Sequence, residues 1–427
     1  MRCLIDVMKD FRLRSVPVFI GKMLLFLIVA GLLLAVIVPR YLDRLYYRGR
    51  PSGHFDGQRF FNPDGGDEGR NPPGGGGRIG FLWRNLTDDR PAWPSRVPVR
   101  PASAGELLPP LTPPTASTPA TPAIVAATPM RATWIGHASV LVQTPGINIL
   151  TDPVWRQNTG PGPLGPTRVA QPGITFDTLP RIDLVLLSHD HWDHLDLDTL
   201  QRLWDRDRPL IVTSPGNDAI LRSAGIGATA ADWGRAVTVQ GRPRVDATHY
   251  WTRSIRVHVT RNHHWSSRWF TDRNRALWSS FVVDLPGGNL FFAGDTGWGD
   301  GRWPAEAARL GPIRLALIPI GAFRFQPGQM ASDSHIGPIQ AVQAYAHLGA
   351  TSAIPIHWGT FRLSYEGYRT PPDLLRAAAR CTGQTGFAPV RIGRPVDVPA
   401  LGGQLPGQVD ARALAACLDT PAVRALR

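Results

Sequence analysis

Lysine is almost absent from this chain. Only Lys9 and Lys22 occur, and the formal net charge of +13 is carried by arginines spread along 427 residues. No cluster of basic residues forms a stripe able to track a nucleic-acid backbone, so a nucleic-acid partner is not expected; attraction to anionic surfaces such as phospholipid headgroups remains. Cysteine is scarce too. Cys3, Cys381 and Cys417 lie far apart without C-x-x-C spacing, which excludes a zinc ribbon and a disulfide framework. Cys381 and Cys417 are expected to stay apart unless the domain faces an oxidising compartment. Long apolar runs are missing but for one. Residues 23–38, MLLFLIVAGLLLAVIV, carry no charge and suit a short transmembrane helix, extended by residues 16–20 if Lys22 snorkels to the interface. Pro39-Arg40-Tyr41-Leu42 stands where a small-x-small cleavage site would fall, so the segment reads as an uncleaved anchor rather than a signal peptide. Basic residues flank it on both sides, and the face of the membrane occupied stays undetermined.

What is present suggests four regions: an anchor with flanks over 1–50, a Gly- and Pro-rich extension over 51–130, a catalytic domain over 131–400 and a tail over 401–427. Residues 65–77 and 97–130 are too rich in Gly, Pro, Ala, Thr and Ser to bury much apolar surface. Between them, residues 81–93 offer Phe, Leu and Trp that can pack on the main domain. From Arg131 onward, short apolar strands are expected over 133–143, 147–150, 182–187, 210–213, 255–260, 277–284, 290–293 and 315–320. Helices are expected over 197–204, 219–223, 304–310, 339–348 and 372–379. Several strands precede each helix, which favours an α/β fold of two mixed sheets with helices outside.

The chemistry centres on Ser188-His189-Asp190-His191-Trp192-Asp193-His194, placed directly after a buried strand. A strand end can turn several side chains toward one point, and three imidazoles with a carboxylate suit zinc, iron or manganese. A solvated polar loop is the bland alternative. Four ligands on one loop cannot fill two metal spheres, so remote partners should follow. Gly294-Asp295-Thr296-Gly297 places Asp295 after an apolar strand, where it can bridge two cations, and Ile356-His357-Trp358 puts a histidine at another strand end.

Read in order, these motifs resemble the metallo-β-lactamase superfamily and, within it, the N-acylphosphatidylethanolamine-hydrolysing phospholipase D-like branch. The matching stretches are Thr133-Trp134-Ile135-Gly136-His137-Ala138, Leu150-Thr151-Asp152-Pro153, the His189 to His194 motif, His264-Trp265, Gly294-Asp295-Thr296-Gly297 and Ile356-His357-Trp358-Gly359-Thr360-Phe361. Upstream, His54-Phe55-Asp56-Gly57 and Arg59-Phe60-Phe61-Asn62-Pro63 look like the N-terminal region of bacterial members. The resemblance implies an αββα sandwich preceded by the anchor, with a single-pass location in a bacterial inner membrane. It also implies two divalent cations, zinc by analogy with iron and manganese as alternatives. His189, His191 and His264 would hold one, Asp193, His194 and His357 the other, and Asp295 would bridge them. Asp152 would steady the ligands, and His137 is either a similar support or a buried structural histidine. Inward alternation of Ile255, Val257 and Val259 points to His263, whereas the family pattern of His followed by Trp selects His264.

The implied reaction is phospholipase D-type attack on a phosphodiester by water activated between the cations, with Asp295 orienting it. His335, in Ser334-His335-Ile336-Gly337-Pro338, matches a family histidine near the substrate, or else caps the next helix. The 322–328 stretch and Gly337-Pro338 depart from the family pattern near the expected substrate mouth. Trp265, Trp269, Trp298, Phe323 and Phe325 fit a lipid substrate, although most read equally as core. A lactonase or other small-ester hydrolase of the same fold is the first alternative, and a non-enzymatic membrane-tethered binding protein the second. The partner is thus a phospholipid or another small molecule, with the membrane contacted through the N-terminal helix and the oligomeric state open.

Overall fold

The computed structural model describes residues 18–34, 36–38, 46–66, 91, 93–107, 128–162, 165–239, 254–269, 272–326, 328–402 and 405–426. Residues 16–17 of the apolar extension, most of 81–93 and most of the Pro-rich stretch lie outside them. Helix α1 (Val18–Val38) has a mean hydropathy of 2.7 and is long and apolar enough to cross a membrane, a test a signal sequence also passes.

Among the described residues the region from Arg131 onward builds two sheets. The first has the order β13-β1-β2-β3-β4-β5-β6, from β1 (Arg131–Gly136), β2 (Ser139–Thr144), β3 (Ile147–Thr151), β4 (Leu184–Leu186), β5 (Leu210–Thr213), β6 (Thr229–Ala230) and β13 (Pro395–Asp397). The second has the order β12-β11-β10-β9-β8-β7, from β7 (Ala236–Val239), β8 (Ile255–Thr260), β9 (Ser280–Val283), β10 (Asn289–Phe292), β11 (Ile313–Pro319) and β12 (Ser352–Ile356). Both are mixed: β3, β4 and β5 run parallel, as do β10, β11 and β12, and the remaining pairs in β1–β3 and β7–β10 are antiparallel.

Strand alternation explains the layering. Leu184 and Leu186 of β4, with Leu315 and Leu317 of β11, point into a core shared by the two sheets. Val185 faces the opposite way, onto α2 (Leu197–Asp207) and α3 (Asn217–Ser223), while Ala316 and Ile318 face α5 (Pro338–Leu348) and α6 (Thr370–Thr382). Helix α4 (Trp303–Ala308) packs on that same outer face. Strands covered on both sides read as continuous apolar runs because each successive residue is buried. Each such side chain contributes about 1.5–3 kcal/mol through burial.

Two expectations change. The stretch expected as one strand over 133–143 is a hairpin, because Gly136 and His137 take positive φ and reverse the chain between β1 and β2. Cys381 at the end of α6 and Cys417 at the end of α7 (Ala411–Cys417) form a disulfide, their Cα atoms 5.8 Å apart. Spacing along the chain cannot reveal such a pairing, since it depends on two helices packing side by side. Beyond it, α8 (Pro421–Arg424) sets Val423 into the same core as Leu414.

Candidate metal centre

The strand ends position the site. Asp152 directly follows β3, the His189 loop follows β4, His264 and Asp295 come shortly after β8 and β10, and His357 directly follows β12, so first-sheet and second-sheet residues meet at one edge of the sandwich. The loop after β4 is drawn tight by α2, whose N-cap Asp196 accepts from the backbone of Asp198 and Thr199 and also from Trp155 and Arg156.

Asp152 is wholly buried and organises the loop. Its carboxylate accepts from Ser188 N at 2.8 Å and Ser188 Oγ at 2.6 Å, and lies 2.6 Å from His194 Nδ1. Ser188 Oγ is in turn 2.8 Å from His189 Nδ1. On the other side, His264 Nδ1 donates to Ser334 O at 2.9 Å. In all three imidazoles the Nδ1 is engaged outward, which leaves Nε2 directed at the centre.

The inward atoms form two sets. His189 Nε2 is 2.8 Å from His191 Nδ1, and His264 Nε2 is 3.3 Å from the same atom. Opposite them, Asp193 Oδ2 lies 3.5 Å from His194 Nε2 and 3.4 Å from His357 Nε2. Asp295 Oδ2 sits between the sets, 3.1 Å from His194 Nε2, 2.9 Å from His357 Nε2 and 4.0 Å from His264 Nε2. Asp295 groups with His189, His191 and His264 as candidate ligands, and Asp193 with His194, His357 and His137, the atoms of each group within 4.8 Å of one another.

The donor set fits metal ions. His191 Nε2 and Asp295 Oδ1 are buried without a hydrogen-bond partner, and leaving such atoms unsatisfied costs about 1–3 kcal/mol each. A cation would satisfy such atoms.

The remaining expected residues also find places. His137 is buried, its Nε2 2.9 Å from Asp193 Oδ2. His335 is buried against the site, its Nδ1 3.8 Å from Asp295 Oδ2 and its ring stacked on His357 at 5.4 Å. His263 turns away: its Nδ1 pairs with Asp64 at 3.0 Å, while His264 points inward. Strand alternation fails here because β8 ends at Thr260, before either histidine. Of the aromatic group, Trp265 packs on His191 and Phe325 lies near His335, whereas Phe323 is wholly buried and Trp298 packs against Trp303. Trp269 is 37% exposed.

Electrostatics divide the histidines. Burial pushes His189 and His264 well down, and His191 to about 3, which keeps them neutral as a ligand must be. Burial opposes protonation of His194 and His357 as well, but Asp295 and Asp193 overcome it, raising His194 well up and His357 to about 9. Burial works against ionisation of Asp193 and Asp295, yet the adjoining imidazoles hold both well below the usual carboxylate range.

Three contributors were given no role by the sequence pattern. Ser188 links Asp152 to His189. Arg268 reaches the metal loop from the second sheet, Nη1 donating to Asp190 O and Leu195 O at 2.8 Å each with the guanidinium 3.8 Å from the Trp192 ring. Glu366 fixes the 322–328 loop by accepting from Ala322 N at 2.6 Å and Arg324 N at 3.2 Å. Each acts on backbone or on a residue remote in sequence.

The beta-lactamase superfamily domain matches residues 147–358. An N-acyl-phosphatidylethanolamine-hydrolyzing phospholipase D of Caenorhabditis elegans is 32% identical over 61% of this chain and 74% of its own length. A metal-dependent hydrolase of Nitratidesulfovibrio vulgaris is 31% identical over 54% of this chain and 81% of its own. An uncharacterized protein of Mycobacterium tuberculosis is 34% identical over 58% of this chain, and the match spans 64% of that relative. With its two mixed sheets, outer helices and histidine-rich edge, the chain belongs to the metallo-β-lactamase superfamily.

Proposed function

We propose that this protein is a metal-dependent hydrolase, a phospholipase D-type phosphodiesterase acting on N-acylphosphatidylethanolamine-like phospholipids. The observation that carries the reading is Asp295, a buried carboxylate set between two groups of ligand atoms with one oxygen unpartnered. A binding module has no need of such a bridge. In this reading His189, His191 and His264 would hold one divalent cation and Asp193, His194 and His357 a second, with Asp295 available to both sets. When bound, such a pair would lower the pKa of water and neutralise charge gathering on the phosphoryl oxygens.

The chain's own groups supply the rest. Asp295 orients the attacking oxygen through its second carboxylate oxygen. His335, held down to about 4 first by burial, is neutral near pH 7 and offers an N–H to a phosphate oxygen more readily than a proton to the leaving group. Asp152 and His137 keep His194 and Asp193 in place. Zinc is the proposed metal, and α1 the proposed membrane anchor. The chemical name of the nematode relative supports the lipid substrate. The 322–328 loop, which departs from that branch near the mouth, is where headgroup preference would differ.

The test is incubation of purified, metal-replete protein with a panel of N-acyl and diacyl phospholipids, with products identified by mass spectrometry. The expected products are phosphatidic acid and the free N-acylethanolamine, absent with Asp295→Ala and His189→Ala. Opening of a lactone with no phosphodiester turnover would replace this reading with the small-ester one.

A further inference from the structure

A concavity of about 1090 Å³ lies apart from the candidate ligands, none of which lines it. Its floor is the stacked pair Trp134 and Trp358, ring centroids 5.0 Å apart. Their opposite sides adjoin the site: Trp134 Nε1 donates to His137 O at 2.9 Å, and Trp358 follows His357. Six guanidiniums, from Arg100, Arg131, Arg369, Arg376, Arg391 and Arg394, line the walls with a single carboxylate, Glu106.

The charges do not balance. Arg100 pairs with Glu106, Arg131 with Asp397, and Arg369 and Arg376 share Asp373. Three carboxylates thus serve four arginines, while Arg391 and Arg394 make no ion pair among the described residues. These two stand on one tight turn, closed by Arg394 N donating to Arg391 O at 3.2 Å. The turn is fixed to the floor, because Gly393 N donates to Trp134 O at 2.9 Å. Gly393 has a φ of +78°, and a Cβ there would meet Arg100 O at 2.5 Å, so only glycine lets the turn sit so close.

Like charges held on a rigid rim repel, and a concave, partly apolar wall focuses their field. Paired guanidinium forks match an oxyanion that offers three or more oxygens, which a phosphate group does and a halide does not. We propose that this arginine-rimmed groove is a binding site for a phosphate group, with the half-buried Trp358, backed by Trp134, receiving any apolar portion of the ligand. The site is separate from the metal centre and does not depend on the reaction assigned there.

Calorimetric titration of the full chain in detergent micelles tests this with two probes, inorganic phosphate and dihexanoylphosphatidic acid, on the wild type and on Arg391→Ala/Arg394→Ala. Both arginines are exposed, so the double variant is expected to keep its fold, checked by circular dichroism; Arg394→Glu is a second, single-site check. The expected result is binding by the wild type that weakens with added salt, and an affinity at least about tenfold lower in the variants. Equal affinity of the wild type for both probes assigns the site to free phosphate. Tighter binding of the lipid assigns it to a headgroup with its acyl stem on the indoles. Absence of binding to both probes, or equal binding by wild type and variants, overturns the proposal.

Discussion

Three of the residues that shape the centre hold backbone conformations that L-amino acids avoid. His137, Asp152 and His357 have φ of 54°, 27° and 62°, each costing about 1–3 kcal/mol that the surrounding contacts must offset. The strain has a use, since a left-handed residue at a strand end swings its side chain out of the pleat and toward the neighbouring strand end. The adjacent pair His263 and His264 separates geometry from composition. Both are buried, yet one faces Asp64 and the other faces the His189 set. His264→Ala is therefore expected to lose about one of two bound metal equivalents, whereas His263→Ala keeps both and loosens only the 46–66 segment. Metal content by plasma mass spectrometry decides it, and the opposite pattern would remove His264 from the ligand set.

The loop between β4 and α2 is held from both sheets. Asp152 grips it from the first, and Arg268 crosses from the second to satisfy two carbonyls that burial would otherwise leave bare. Losing both bonds exposes the loop to rearrangement worth about 1–3 kcal/mol per orphaned group. Arg268→Ala should therefore weaken metal binding by about 10–100-fold, and Arg268→Lys should not rescue it fully, since an ammonium lacks the planar face that the guanidinium lays on the Trp192 ring. Chelator competition measures the affinity, and an unchanged value in the alanine variant would reduce Arg268 to a packing residue. The contrast with His189 to His194 explains what the sequence made legible. Six consecutive residues after an apolar run announce themselves, as do the strands whose faces are both buried. Arg268, Ser188 and Glu366 act through backbone atoms or across the fold, so no pattern marks them. The β1–β2 turn was hidden for a related reason: apolar residues continue on both sides of Gly136-His137, and alternation alone reads through it. His264 needed the family pattern, because the chain leaves its strand before reaching the ligand.

At the scale of the whole molecule, the candidate ligands bridge the two sheets. His137, His189, His191, Asp193 and His194 belong to the first, and His264, Asp295 and His357 to the second, so a bound pair of cations would act as a staple across the sandwich edge. Without metal, protons take over part of that task. His194 is held protonated by its carboxylate neighbours, and His357 is raised to about 9, placing positive charge beside Asp193 and Asp295. Because the folded-state value for His357 lies above its ordinary one of about 6.5, the stabilisation it gives is complete below that pH and is lost as pH rises through about 9. Above that, two buried carboxylates lose a counter-charge in the metal-free protein, while in the loaded protein the cations remain. Rising pH also removes proton competition for the ligands, which tightens metal binding and its contribution to folding. Both effects have one sign. The drop in unfolding temperature caused by chelation should be larger at about pH 10 than at about pH 7; a drop that is equal or smaller at the higher pH would mean that metal and protons do not share the same carboxylates.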